Sequence, residues 1–305
     1  MDRLFELAPL QGSTSDLENR VRRTLQLAHR WGYAPTIEAL GENLLGGLES
    51  QEKLLAAART AGDVVVQDGF AHIAGYAHLL EKSKRRVGAH ARHNGWATAI
   101  ARDYARTLVR SCPLVECICL SGSTASGGYD ATDDIDFDLF VMNDAKYLVY
   151  LVALVLGLNV SLRNRGHARL RKITCVNVLW TESEWRPFAR QDEDLAYELL
   201  RCRPLVGARK FAEVIAANDW ARTYFPQLGD NPVSSEAFSR PNVFGRFLRS
   251  IARRPRLLRA FNELSRVATH AIYSFAHWLD RKDSDKVNRL RFLQRAKFPY
   301  EVFQD

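Results

Sequence analysis

Apolar residues recur at helical spacing along the first sixty positions. Leu17, Val21, Leu25 and Ala28 fall on one face of a helix that runs to about Trp31. Pro35 opens a second, short segment over Ile37 to Leu45, stopped by Gly46-Gly47, and Ser50 stands at the N-cap of a third, Gln51 to Ala61. The period then changes. Asp63-Val64-Val65-Val66-Gln67 and Phe70-Ala71-His72-Ile73 are strand-forming runs joined by Asp68-Gly69, a dipeptide suited to a two-residue hairpin. Three helices and a hairpin predict a winged-helix domain over residues 1–80. Its third helix offers only Lys53 and Arg59 to a nucleic acid, so a structural or protein-docking role is expected of it.

A helical pattern resumes in the basic segment EKSKRRVGAHARH and continues through Trp96, Ile100, Tyr104 and Leu108. Pro113 ends it. Leu114 to Leu120 is then an apolar run interrupted only by Glu116, as a central strand allows. In DDIDFDLFV, Ile135, Phe137, Leu139 and Val141 alternate with Asp134, Asp136, Asp138 and Phe140, which predicts a strand with one buried face. Tyr147 to Leu158 is apolar all round, a buried helix too short to span a bilayer. Ile173 to Trp180 forms another strand. A helix from Asp192 to Arg203 is broken by Pro204, a further helix covers Phe211 to Trp220, and Gly229 to Pro241 has the composition of a linker. From Arg240 to Arg259 there are seven arginines and no acid among Phe244, Phe247, Leu248, Ile251, Leu257 and Leu258, an amphipathic basic helix interrupted at Pro255. A last helix covers Phe261 to Trp278. This succession predicts an α+β fold, with a core over residues 81–232 and a C-terminal helical region over 233–305.

Charge narrows the partners. The 305 residues carry a net charge of +8, with an isoelectric point near 9.4, which favours polyanions or polyphosphates without separating ATP from RNA. The five cysteines are odd in number and lack C-x-x-C spacing, and the Met1 region carries Asp2, Glu6 and Asp16 in place of a basic leader, so reduced thiols and a cytoplasmic location are expected.

Candidate chemistry gathers between Leu120 and Val141. Asp134 and Asp136 project side by side on the polar face of their strand, where mutual repulsion calls for a bound cation. Upstream, Gly122-Ser123 and Gly127-Gly128 let backbone approach a triphosphate closely, with N–H groups and the Ser123 hydroxyl as donors. No acid occurs from Ala145 to Thr181, while Arg163, Arg165, His167, Arg169, Arg171 and Lys172 cluster before the strand at Ile173. Arg169, Arg171 and Lys172 are the candidates for neutralising a triphosphate tail.

Gly122-Ser123, a spacer and Asp134-Ile135-Asp136 resemble the GS…DxD signature of nucleotidyltransferases with a DNA polymerase β-like fold. Pro113-Leu114-Val115, Cys175-Val176-Asn177, Asn218-x-Trp220 and Phe225-Pro226 extend the resemblance to a bacterial and archaeal branch, over about two-thirds of the chain. The resemblance implies a polymerase β-like core that transfers a nucleoside monophosphate from an NTP, ATP being the expected donor, to an unidentified small molecule, tRNA or protein, and releases pyrophosphate. Asp134 and Asp136 would hold Mg²⁺ or Mn²⁺ as catalytic residues, and Gly122 and Ser123 would bind the phosphates. Many such enzymes place a third carboxylate on a neighbouring strand. Here the position offers Asn177, a neutral amide, with Asp138 as the nearest substitute. The rival expectation is a non-enzymatic nucleic-acid-binding regulator that makes phosphate contacts through its winged helix and the Arg240 to Arg259 helix.

Overall fold

A computed structural model describes residues 14–164, 172–229, 235–237 and 240–280. In chain order, α1 (Thr14–Arg30), α2 (Ile37–Glu42) and α3 (Gln51–Thr60) precede a hairpin of β1 (Val64–Gln67) and β2 (Phe70–Ile73). The long α4 (His78–Ser111) leads to β3 (Val115–Leu120), the single turn α5 (Gly122–Ala125), β4 (Ile135–Val141), α6 (Lys146–Arg163), β5 (Thr174–Thr181) and the short α7 (Glu182–Trp185). There follow α8 (Glu193–Arg201), β6 (Arg203–Val206), α9 (Ala208–Ala216), α10 (Trp220–Tyr224), α11 (Val243–Ala252) and α12 (Pro255–Asp280). The fold is mixed α+β.

The chain forms two compact units that are not contiguous in sequence. The first comprises Met1–Gly88 and takes back Arg190–Leu200 and Asp219–Asn231; the second holds the remainder. In the first unit, Val21 and Leu25 of α1, Leu40 of α2, Leu54 and Ala58 of α3 and Val64 and Ala71 of the hairpin share one buried cluster. The stop and start signals act locally as their chemistry dictates. Ser50 accepts from the Lys53 N–H, and Asp68 and Gly69 both adopt positive φ, which the hairpin twist requires. The returning α8 is tied to α1 through Glu193, which pairs with Arg23 at 2.7 Å and Arg30 at 2.9 Å.

The second unit is built on a four-stranded sheet of order β5-β4-β3-β6, parallel only between β4 and β5. Ile135, Phe137, Leu139 and Val141 of β4 pack with Tyr104 and Leu108 of α4, Val149 and Ala153 of α6, and Leu248 of α11. Tyr104 sets its ring 4.8 Å from Phe137 and donates its hydroxyl to the Ala153 carbonyl at 2.9 Å, fixing α4, sheet and α6 to one another. The opposite face is covered too. Phe140 lies between Trp180 of β5, at 5.2 Å, and Phe211 of α9, at 6.0 Å. The β4 strand is therefore buried on both faces beyond Asp136, where alternation predicted one wet face.

Pro204 ends α8 as expected, and it also sits inside β6. At the sheet edge a residue without an N–H loses no ladder bond, so proline is tolerated there. The apolar helix extends past Leu158 to Arg163, making it the one described helix long and apolar enough to cross a membrane; it packs against β5 and α12, with Leu148, Val149 and Ala153 in the core. Pro255 separates the basic region into two helices and opens α12, which begins ahead of the expected Phe261, in keeping with the preference of proline for the first helical turn.

Candidate functional site

The strand β3 runs apolar to Leu120 and then turns sharply. Ser121 donates its N–H to the Asp136 carbonyl at 3.0 Å, which staples the turn to β4. Gly122 follows at φ +59, and a β-carbon built there would lie 2.1 Å from Asp136 Oδ2. Only glycine satisfies both the backbone angle and the carboxylate. On the far side of the turn the Tyr129 N–H donates to His90 Nδ1 of α4 at 3.2 Å, so His90 works as a neutral acceptor; burial, then Arg203, hold its pKa below the usual histidine value.

Asp134 and Asp136 stand next to this turn, both half-buried. They are joined by a cysteine of the neighbouring strand. Cys175 of β5 is the register partner of Asp136, and ligand atoms of Asp134, Asp136 and Cys175 all lie within 4.8 Å of one another. Two carboxylates and a sulfur at this separation fit one divalent ion, and the thiol adds a softer donor than carboxylates alone provide. Desolvation pushes the Cys175 thiol up to about 12; Lys172 offsets this in part, while Asp136 and Asp134 add to it. Cys175 is accordingly a thiol without a metal. Lys172 reaches the same donors. Its ammonium lies 3.3 Å from Asp134 Oδ2 and donates to Cys175 Sγ at 2.8 Å.

Ser123 is drawn to an acid. Its hydroxyl donates to Asp133 Oδ2 at 2.9 Å, and the Asp130 N–H shares that oxygen at 3.1 Å, so a phosphate would have to replace Asp133 as its partner. Arg169 and Arg171 lie outside the described residues.

Asp138 and Asn177, the two candidates for the third-carboxylate position, face one another. The register between β4 and β5 shifts after Phe137, and the Asn177 amide donates to Asp138 Oδ1 at 3.2 Å. Ser121 Oγ donates to the same oxygen at 2.9 Å, and Cys202 Sγ donates to Oδ2 at 3.2 Å. Asp138 is wholly buried, and desolvation raises its pKa to about 6 despite those three donors, with the Asp136 charge adding a smaller push. It braces the turn through Ser121, while Cys175 supplies the donor beside the two outer aspartates. A period-two reading of Ile173 to Trp180 places Cys175 on the same strand face as Asn177, but only the pairing register sets it opposite Asp136.

Asn218 clamps loops of the second unit. Its carbonyl accepts from the Phe188 N–H at 3.0 Å, and its amide donates to the Trp185 and Val214 carbonyls at 2.7 and 2.8 Å. Comparison with known proteins finds no match for this chain among family models, curated proteins or solved structures.

Proposed function

We propose that the protein is a divalent-metal-dependent nucleotidyltransferase with a polymerase β-like core and a winged-helix-like N-terminal unit. It would transfer a nucleoside monophosphate from an NTP, ATP as donor, to a small molecule, tRNA or protein. One observation carries this reading: the left-handed Gly122 turn touches Asp136, and Asp136 shares a donor set with Asp134 and Cys175. A glycine turn that brings backbone N–H groups beside a cation site is what a triphosphate bound through its metal needs.

Asp134 and Asp136 would hold Mg²⁺ or Mn²⁺, and the Cys175 sulfur beside them, a soft donor, favours Mn²⁺ of the two. Such an ion would neutralise phosphate charge and polarise the reacting phosphorus. The chain's own groups do the rest. Gly122 lets the turn lie against the Asp136 carboxylate, and the Ser123 hydroxyl would exchange Asp133 for a phosphate oxygen. Lys172, whose ammonium stands 3.3 Å from Asp134, would turn to the same phosphates once an ion took that carboxylate. Asp138 stays behind the turn as a brace.

The test is incubation with each α-labelled NTP, Mg²⁺ or Mn²⁺ and cell extract. Label should pass to an acceptor with wild type and not with Asp136→Asn. Metal-dependent NTP binding without transfer to any acceptor would replace this reading with the non-enzymatic regulator, for which the neutral Asn177 speaks.

A further inference from the structure

The C-terminal helix pair carries a surface with no part in the reaction just described. Helix α11 turns Gly245, Leu248 and Ile251 inward. A β-carbon at Gly245 would come within 2.2 Å of the Arg110 carbonyl, so α11 lies directly on the backbone of α4. Asn242 locks that placement by accepting from the Gly245 N–H at 2.8 Å and donating to Ser111 Oγ at 2.9 Å. The helix cannot roll. Phe244 and Phe247 are held outward, 47% and 51% exposed. Phe247 touches Phe244 at 6.4 Å and meets Phe261 of α12 edge-on at 6.3 Å, and Leu257 and Leu264, one turn to either side of Phe261, are exposed as well. These side chains form a continuous apolar ridge of the kind that marks an interaction surface.

Positive charge surrounds the ridge. Arg246, Arg249, Arg253, Arg254 and Arg256 are all exposed, and none has an ion-pair partner among the described residues. Arg259 approaches Asp144 at 3.7 Å. The first acid after Arg240 is Glu263. A partner must therefore cover apolar surface and supply several negative charges together.

We infer that this face docks on the surface of an anionic lipid bilayer, with Phe244, Phe247 and Leu257 entering the boundary between headgroups and acyl chains and the arginines meeting lipid phosphates. A single-stranded nucleic acid would match the charge. Bases stack on rings, however, and would leave the exposed aliphatic half of the ridge, Leu257 at 40% and Leu264 at 67% exposure, without a partner. Acyl chains accept rings and aliphatic groups alike.

The experiment is co-sedimentation of the full chain with vesicles of phosphatidylcholine, alone or with phosphatidylglycerol. Binding is expected only with phosphatidylglycerol. Arg246→Gln/Arg249→Gln/Arg253→Gln should weaken it on the order of a hundredfold, because each cation near an anionic surface contributes about 1 kcal/mol. Phe244→Ser/Phe247→Ser should weaken it by at least about tenfold at unchanged charge. All five side chains are exposed, so thermal melts should match wild type; should the phenylalanine variant not fold, the arginine variant and the lipid dependence still decide. No binding to phosphatidylglycerol vesicles, or undiminished binding by a folded phenylalanine variant, overturns the inference. Binding of fluorescent oligouridylate in place of vesicles overturns it too and makes nucleic acid the occupant.

Discussion

The carboxylate of Asp136 occupies the space that a side chain on residue 122 would need. A β-carbon on Gly122 would lie 2.1 Å from Oδ2 and 3.0 Å from the aspartate's own β-carbon, and the Ser121 N–H binds the Asp136 carbonyl at 3.0 Å. Turn and carboxylate thus form one unit, and neither can be altered without moving the other.

Gly122→Ala should for this reason cost more than a left-handed alanine alone. Positive φ contributes about 1 kcal/mol, and displacement of Asp136 brings the loss to roughly 1–3 kcal/mol. Denaturant titration should find this loss smaller in an Asp136→Ala background, where the contact with the carboxylate is gone. Strictly additive costs would mean that the carboxylate swings aside freely. Calorimetry on the Gly122→Ala protein should also find divalent-ion binding weakened, because the aspartate no longer faces Asp134 and Cys175.

A sulfur in the donor set predicts a metal preference. Thiolate favours Mn²⁺, Zn²⁺ and above all Cd²⁺ over Mg²⁺, a preference that Cys175→Asp should narrow, most of all for Cd²⁺. Cadmium titration should produce ultraviolet charge-transfer absorption in wild type, accompanied by proton release because the metal-free thiol is protonated. A wild-type protein that binds cadmium without that absorption would remove Cys175 from the site.

Lys172→Met separates two roles of one ammonium. The Lys172 and Asp134 side chains remain 58% and 38% exposed, so breaking their pair should change stability by no more than about 1 kcal/mol. Affinity for the metal alone should rise, since no resident cation competes for Asp134. Affinity for the metal–NTP complex should fall if the released ammonium meets phosphate. Equal shifts in both titrations would confine Lys172 to the metal-free state.

These relationships were unequally legible in the sequence. The three N-terminal helices, their hairpin and the outer aspartates announce themselves through short-range signals: the Ser50 cap, Asp68-Gly69, and the period-two run from Asp134. Nothing comparable marks β6, because Pro204 reads as a breaker until its edge position is known. The placement of Cys175 and Asp138 is hidden from the sequence for a related reason. Their roles depend on pairing register and on what covers the second face of the sheet, and both are set by contacts with distant segments such as Cys202 and Phe211.

Asp138 yields the last prediction, a pH dependence whose sign opposes ordinary acid denaturation. Burial raises this carboxyl from its usual 3.8 to about 6, with hydrogen bonds from Cys202, Ser121 and Asn177 only partly offsetting it. Between those values the folded protein retains a proton that the unfolded chain has lost. Stability contributed by this residue is therefore complete below the unfolded value, declines as pH rises from about 4 to about 6, and is level above that. Most surface carboxylates act the other way, so the useful quantity is the difference between wild type and Asp138→Asn. The amide keeps an oxygen for Ser121 and Asn177, and its NH₂ faces the Cys202 sulfur, so the packing should survive. Urea titrations in metal-free buffer should find the variant gaining on wild type across that window and at least as stable near neutrality. Ser121→Ala, which removes a donor to the charged form, should move the window upward. A wild-type-minus-variant difference that stays flat with pH would mean that Asp138 is solvated in the folded protein, and that the brace behind the Gly122 turn is not the dry one described.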